Sequence, residues 1–281
     1  MSAPPLFSVE FSPPRNAEGA ERLRATRAAL ARVAPAFYSV TFGAGGSTRE
    51  GTLSTALEMH AAGLHAVPHI SCVASSRASV RELLQTYRDA GIRHLVVLRG
   101  DAPSGMAGMA GDFRYAADLV AMIREEYGAT FRIEVAAYPE THPQARSPEE
   151  DLRHFVRKVQ AGADSAITQY FYNEDAYARF VDEAARLGCT VPIVPGIMPI
   201  TNYTQLARFS DSCGAEIPRW IRRRLESYGD DRDAIRAFGL EVVADLCRRL
   251  LARGAPGLHF YTMNLAAPTL DIWRQAGLPT A

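Results

Sequence analysis

A glutamate inside an apolar run is the first residue of this chain whose type and place could do chemistry. Glu10 lies in Leu6-Phe7-Ser8-Val9-Glu10-Phe11, a β-rich run ended by Pro13-Pro14. A carboxylate there is costly to bury unless it is paired, opened to a cleft or protonated. In a cleft it can serve as a general acid; on the wet side of an edge strand it is merely solvated, and this segment alone leaves both open. Other polar residues recur where apolar runs end. Thr41 precedes Gly43-Ala44-Gly45-Gly46, His69 follows Pro68, and Arg99-Gly100-Asp101 closes another run. Further along stand Tyr138-Pro139-Glu140-Thr141-His142, Thr168-Gln169-Tyr170, Gly196-Ile197-Met198-Pro199 and Tyr261-Thr262-Met263-Asn264.

Taken singly, most of these have ordinary explanations. The glycines suit a tight turn that needs positive φ, although their backbone N–H groups could also cradle a phosphate. His69 could be a satisfied core histidine and Asp101 a turn cap. Gln169 is harder to dismiss, because an amide in mid-strand must hydrogen-bond something. Asp151, His154 and Lys158 share one side of a helical run, which is ordinarily a solvated face.

The elements that must position these residues alternate from end to end. Strand-like runs cover about 6–11, 37–42, 65–72, 94–99, 132–138, 165–172, 191–198 and 258–263, and helical spacing fills the intervals between them. The helix at 148–161 has a clear start: Ser147 as N-cap, Pro148 in the first position, Glu149 and Glu150 in the first turn. Residues 202–253 are too many for one crossover helix, so an extra helical excursion is expected before the last strand. Eight βα units without a Ser/Gly/Pro-rich linker, in a chain near the ~250 residues usual for the architecture, predict one α/β domain over 1–281, a (β/α)8 TIM barrel. In such a barrel the carboxyl ends of the strands form the catalytic rim, and the polar residues above all fall there.

Composition narrows the function. The 31 basic and 31 acidic side chains cancel, which gives no global field for nucleic acid or an anionic membrane. No run is long and apolar enough for a membrane span, and the first residues lack a signal-peptide pattern, so a cytoplasmic location is expected. Cys72, Cys189, Cys213 and Cys247 are scattered, without the close pairs of a zinc site, and read as reduced, mostly buried side chains. Walker A, GxSxG, HExxH and GxGxxG patterns are missing from the sequence, which argues against those NTPase, hydrolase and dinucleotide-binding classes.

Seven collinear motifs then carry a resemblance across the whole chain. Val9-Glu10-Phe11-Ser12-Pro13-Pro14, Val40-Thr41-Phe42-Gly43-Ala44-Gly45-Gly46, Leu98-Arg99-Gly100-Asp101, Ala137-Tyr138-Pro139-Glu140, Ala166-Ile167-Thr168-Gln169, Pro195-Gly196-Ile197-Met198-Pro199 and His259-Phe260-Tyr261-Thr262-Met263-Asn264 closely resemble the 5,10-methylenetetrahydrofolate reductase family. The resemblance implies a barrel that holds FAD without a Rossmann fold, NADH or NADPH as hydride donor, and reduction of methylenetetrahydrofolate to 5-methyltetrahydrofolate in two steps through reduced flavin. It implies Glu10 as the acid that opens the folate ring, with its pKa raised by burial, and Asp101 as a charge beside flavin and pterin. By the same match Thr41, His69, Arg99, Gly100, Asp101, Tyr115, Ala116, Tyr138, His142, Asp151 and Lys158 would line the FAD site. Gln169 would orient the pterin and Tyr203 would cover substrate or nicotinamide. A homo-oligomer is implied as well. One position departs: Leu265 stands where many members carry a basic residue. Two alternatives share the barrel, a flavin-dependent dehydrogenase resembling proline dehydrogenase and a folate-binding barrel without catalysis.

Overall fold

The computed structural model describes residues 4–42, 48–100 and 111–280. Eight parallel strands close on themselves in sequence order: β1 (Leu6–Phe11), β2 (Phe37–Val40), β3 (Ala66–Ser71), β4 (His94–Leu98), β5 (Arg132–Ala137), β6 (Ser165–Tyr170), β7 (Ile193–Ile197) and β8 (Gly257–Tyr261). β8 pairs with β1 in the register Ser8 to His259 and Glu10 to Tyr261, which closes the barrel. The (β/α)8 expectation is met.

The outer ring holds α1 (Ala17–Leu30), α2 (Arg49–Ala61), α3 (Arg77–Asp89), α4 (Ala116–Tyr127), α5 (Pro148–Gln160) and α6 (Glu174–Arg186). After β7 come α7 (Tyr203–Cys213), α8 (Arg219–Ser227) and α9 (Arg232–Ala252), the expected excursion. α5 starts as its sequence signals: Ser147 Oγ accepts from Glu150 N at 3.2 Å, with Pro148 in the first turn. None of the helices described is long and apolar enough to cross a membrane.

One element has no counterpart among the runs read from the sequence. α10 (Ala266–Gln275) follows β8, and its Trp273 packs on Phe7 and Phe260 with ring centroids 4.9 and 5.3 Å apart. Proline ordinarily breaks a helix, yet Pro268 lies in the first turn, where an N–H has no intrahelical acceptor to lose.

The main apolar core lies between barrel and helices, where Val9, Phe11, Leu95, Ile133 and Phe260 point outward under the helical ring. The lumen is different. Its apolar filling is a small cluster of Phe37, Val67, Val96 and Ile167, with Leu98 packed against it. Around that cluster the strands carry Ser8, Ser39, His69, His94, Glu134, Ser165 and His259, all buried. Buried polar groups are stable when paired, and the lumen supplies such pairs: His94 Nε2 meets Glu134 Oε1 at 2.9 Å, and Arg132 Nε donates to the same oxygen at 3.1 Å. The four cysteines are free; Cys72 and Cys247 are buried, Cys189 and Cys213 half-buried.

Candidate active site

The carboxyl ends of the strands surround a cleft of about 1380 Å³. Its floor is built by β1, β3 and β8. The side chains of Ser8 and Glu10 are two residues apart on β1 and so share the lumen face. Glu10 Oε2 lies 3.3 Å from His69 Nε2 and 3.4 Å from His259 Nε2, and the other ring nitrogen of His259 lies 2.7 Å from Ser8 Oγ. The backbone around Glu10 is pinned too, since Thr262 Oγ1 donates to the Glu10 carbonyl at 2.6 Å. The Asn264 amide grips Ser12 on both sides, Oδ1 accepting from its N–H and Nδ2 donating to its carbonyl, each at 2.9 Å. Met263 and Asn264 hold left-handed conformations, φ 52° and 58°, so the turn after β8 is strained where it borders the cleft.

Here the expectation for Glu10 is overturned in one respect. Burial alone would raise its pKa, as the sequence suggests, but hydrogen bonds and charge from His259 and His69 outweigh burial and bring it down to about 2. Glu10 is therefore a carboxylate at neutral pH. The sequence reveals the apolar strand; it does not reveal two imidazoles arriving from β3 and β8.

One wall of the cleft comes from β4, β5 and the helices after them. Ser71 Oγ donates to the Arg99 carbonyl at 2.8 Å, and Arg99 reaches Gln144. Gly100 has φ +80°, and a Cβ there would stand 2.1 Å from Ser71 Oγ, so only glycine fits. Asp151 Oδ2 accepts from His142 N at 2.8 Å, and the His142 ring meets Tyr138 edge to face at 4.6 Å. Tyr115 stacks on His154 at 4.9 Å while the Arg114 guanidinium covers the tyrosine at 5.2 Å. Ala116 is the buried first residue of α4. Lys158 donates to the Ala136 carbonyl, and its burial, partly offset by Asp151 and reinforced by Arg99, lowers its pKa to about 8. The face of α5 that reads as ordinarily solvated thus turns Asp151, His154 and Lys158 into the cleft.

The remaining predicted residues divide. Thr41 lines the floor, its Oγ1 donating to Ser12 Oγ at 3.3 Å. Gln169 lines the cleft and its Oε1 accepts from Tyr170 N at 3.0 Å, which is the partner that a mid-strand amide demands. Tyr203 does not reach the cleft: its hydroxyl donates to Glu226 Oε1 on α8 at 2.9 Å. α7 instead presents Phe209, Ser212 and Cys213, one and a half to three helical turns further on. Phe209 is 37% exposed, a large aromatic at a cleft edge, and no local sequence signal marks it. Leu265 is exposed at the start of α10, outside the cleft lining. Asp101 and the Gly43 to Gly46 loop lie outside the described residues. Sequence reasoning assigns no role to Ser8 or His259.

A cleft of this size at the carboxyl ends of a closed (β/α)8 barrel, with a carboxylate held between imidazoles on its floor, has the architecture of a barrel enzyme. The sequence comparisons refine this. The family description of methylenetetrahydrofolate reductase matches residues 2–277, and the chain belongs to that family of oxidoreductases. It is 38% identical to the 5,10-methylenetetrahydrofolate reductases of Pectobacterium carotovorum and of Escherichia coli, covering 96% of this chain and 90% of each relative. It is 37% identical to methylenetetrahydrofolate reductase (NADH) 1 of Arabidopsis thaliana over 97% of this chain, and spans 48% of that longer protein. Among solved structures, a Clostridium thermocellum protein described as binding two copies of 5-methyl-5,6,7,8-tetrahydrofolic acid superposes with TM-score 0.68 at 15% identity, covering 97% of this chain and 94% of that one. That likeness is one of fold.

Proposed function

We propose that the chain, as a single catalytic domain, reduces 5,10-methylenetetrahydrofolate to 5-methyltetrahydrofolate with NADH or NADPH, using FAD held in this cleft. The observation that carries the reading is Glu10 on the cleft floor between His69 and His259, in a chain of this family. The residues present fit the cofactor. Arg99, Arg114, His142, Arg157 and Lys158 face one cleft, and Nδ1 of His69 is buried without a hydrogen-bond partner among the described residues. A dinucleotide supplies the pyrophosphate and ribose oxygens that such a wall would bind. Bound flavin would supply the hydride relay, accepting from the nicotinamide in one half-reaction and giving to the one-carbon unit in the other.

The chain's own residues do the rest. Arg99 and Lys158 neutralise the pyrophosphate, and His142, whose Nδ1 accepts from Gln144 N, lies near the pyrophosphate or ribose. Gln169 orients the pterin, and Phe209 covers the bound ligand at the cleft edge. Glu10 protonates the amine nitrogen released when the folate ring opens, because the bridging carbon accepts hydride only once that carbon–nitrogen bond breaks.

Lys158→Met is expected to weaken FAD binding by about 10- to 100-fold, the worth of a charge-assisted hydrogen bond in a buried site. Fluorescence titration of the apoprotein measures this. The pH dependence follows from linkage. Free Lys158 titrates near 8 because it is buried, and a bound pyrophosphate raises that value, so binding above pH 8 takes up a proton. Affinity therefore falls as pH rises through about 8 to 9 in the wild type, and K158M lacks this limb.

The test of the reading itself is the visible spectrum of the purified protein through successive anaerobic additions of NADH and methylenetetrahydrofolate. Flavin bands that bleach with NADH and return with the folate are expected. Bleaching without return would point to another flavin-dependent dehydrogenase, and a protein left colourless after incubation with FAD would point to a folate-binding barrel without catalysis.

A further inference from the structure

Glu10 must give up a proton in the proposed reaction, yet it sits between two imidazoles that keep it ionised. The geometry around His259 resolves this. His259 and Ser8 are both fully buried, on neighbouring strands paired Ser8 to His259. Phe37 stacks on the imidazole at 5.9 Å, which closes the lumen on that side. Ser8 Oγ stands 2.7 Å from His259 Nδ1, and His259 Nε2 stands 3.4 Å from Glu10 Oε2.

A serine hydroxyl both donates and accepts, so the ring keeps its Nδ1 partner whatever its charge. As an imidazolium, His259 donates Nδ1–H to Ser8 and Nε2–H to Glu10. As a neutral ring protonated on Nδ1, it still donates to Ser8, and Nε2 accepts from a protonated Glu10. The two states differ only in where one proton sits between Nε2 and Oε2, with no ring flip. His69 lacks this provision: it meets Glu10 at 3.3 Å, but its Nδ1 has no partner among the described residues. An imidazolium there would bury an unsatisfied N–H.

We infer that His259, held by Ser8, is a positioning residue that stores the proton Glu10 delivers, so that the acid of the reaction is a Glu10–His259 couple. The inference rests on the reading of Glu10 as the acid. In the step, the Nε2–H bond of His259 breaks as the Oε2–H bond of Glu10 forms. That O–H bond then breaks as the substrate amine takes the proton on its lone pair. The carbon–nitrogen bond of the ring breaks with its electron pair going to that nitrogen, and the lone pair of the other ring nitrogen forms the C=N bond. His259 is left neutral, with a bare Nε2 lone pair facing a carboxylate. This repulsion draws one proton back from water through Glu10, whose side chain is 16% exposed to the cleft. The titratable groups facing the couple are His69 from β3 and Tyr261 from β8, the latter edge to face with His259 at 5.3 Å. Burial holds the Tyr261 hydroxyl well above its ordinary range, so it stays neutral.

The experiment compares wild type, Ser8→Ala, Ser8→Thr and His259→Gln as FAD-loaded enzymes. The first measurement is the rate at which methylenetetrahydrofolate reoxidises the reduced enzyme, followed from about pH 6 to 9. The second is the set of imidazole ¹⁵N shifts over the same range, with the His259 signals assigned by their loss in H259Q. Removing the acceptor of Nδ1–H costs the imidazolium a charge-assisted hydrogen bond and the neutral ring only an ordinary one, so the charged form loses more. S8A is therefore expected to move the alkaline limb of the rate and the His259 midpoint down together by about one pH unit, a tenfold change in proton affinity. S8T keeps the hydroxyl and is expected to restore both. A His259 that stays neutral throughout in the wild type, or limbs and midpoints that coincide in S8A and wild type, would overturn the inference. If the wild type shows no reoxidation by the folate at all, the functional reading has failed, and the ¹⁵N titration still decides whether the couple exists.

Discussion

Glu10→Gln is expected to slow reduction of methylenetetrahydrofolate by about 10²- to 10⁴-fold, the usual worth of a general acid, while reduction of the flavin by NADH proceeds. Glutamine keeps the size of the side chain and can still hydrogen-bond His69 or His259, but it has no proton to release. The effect should therefore fall on the folate half-reaction, read by rapid mixing of the reduced enzyme with the folate. An equal loss in both half-reactions would mean that Glu10 maintains the cleft rather than the chemistry. The substitution has a second signature in stability. The pKa of Glu10 is depressed, from an ordinary 4.5 to about 2, so the ionised group contributes stability above about pH 4.5 that is lost as pH falls toward 2. E10Q should flatten that acid limb, which a series of thermal melts between about pH 2 and 6 would record.

Gly196→Ala is the second large effect, and it acts through space rather than chain conformation. A Cβ on Gly196 would stand 2.2 Å from the Thr168 carbonyl oxygen and 2.6 Å from the Tyr261 ring. The same carbonyl accepts the Tyr261 hydroxyl at 2.6 Å, and Thr168 Oγ1 accepts from Gly196 N at 2.9 Å. β6, β7 and β8 are thus pinned together next to Gln169, and backbone on one side leaves the new methyl group little to push aside. A loss of about 3 kcal/mol is expected, a fall in Tm of roughly 6–12 °C for a domain of this size. Activity at a permissive temperature should drop with it, because Gln169 and Tyr261 both line the cleft. A melt within about 2 °C of wild type would show that the three strands part more easily than their contacts suggest.

Much of this protein is legible in its amino-acid order. The alternation of β-rich and helical runs defines the barrel because each crossover must return the chain to the same end of the sheet. That rule also sends Glu10, Thr41, His69, Arg99, Tyr138 and Gln169 to one rim, where they line one cleft. The start of α5 at Ser147-Pro148 is equally plain, since capping is a matter of adjacent residues. Local signals fail where one residue has two readings, as at Pro268, a breaker in a helix interior but at home inside the first turn of α10.

The order of elements and the set of chemical groups at their carboxyl ends are thus written in the chain. Which of those groups meet depends on how the barrel closes. β1 and β8 do alternate, Ser8 and Glu10 lying between Phe7, Val9 and Phe11, and His259 between Leu258 and Phe260, but that pattern gives a side chain its face and not its partner. Ser8 and His259 lie 251 positions apart and become neighbours only when β8 closes on β1. For the same reason the pitch of α7, rather than the nearness of Tyr203 to a strand end, selects Phe209 for the cleft. The charge on Glu10 is settled in that way too: its apolar strand argues for a raised pKa, and the two imidazoles that reverse the sign arrive from β3 and β8 when the barrel forms.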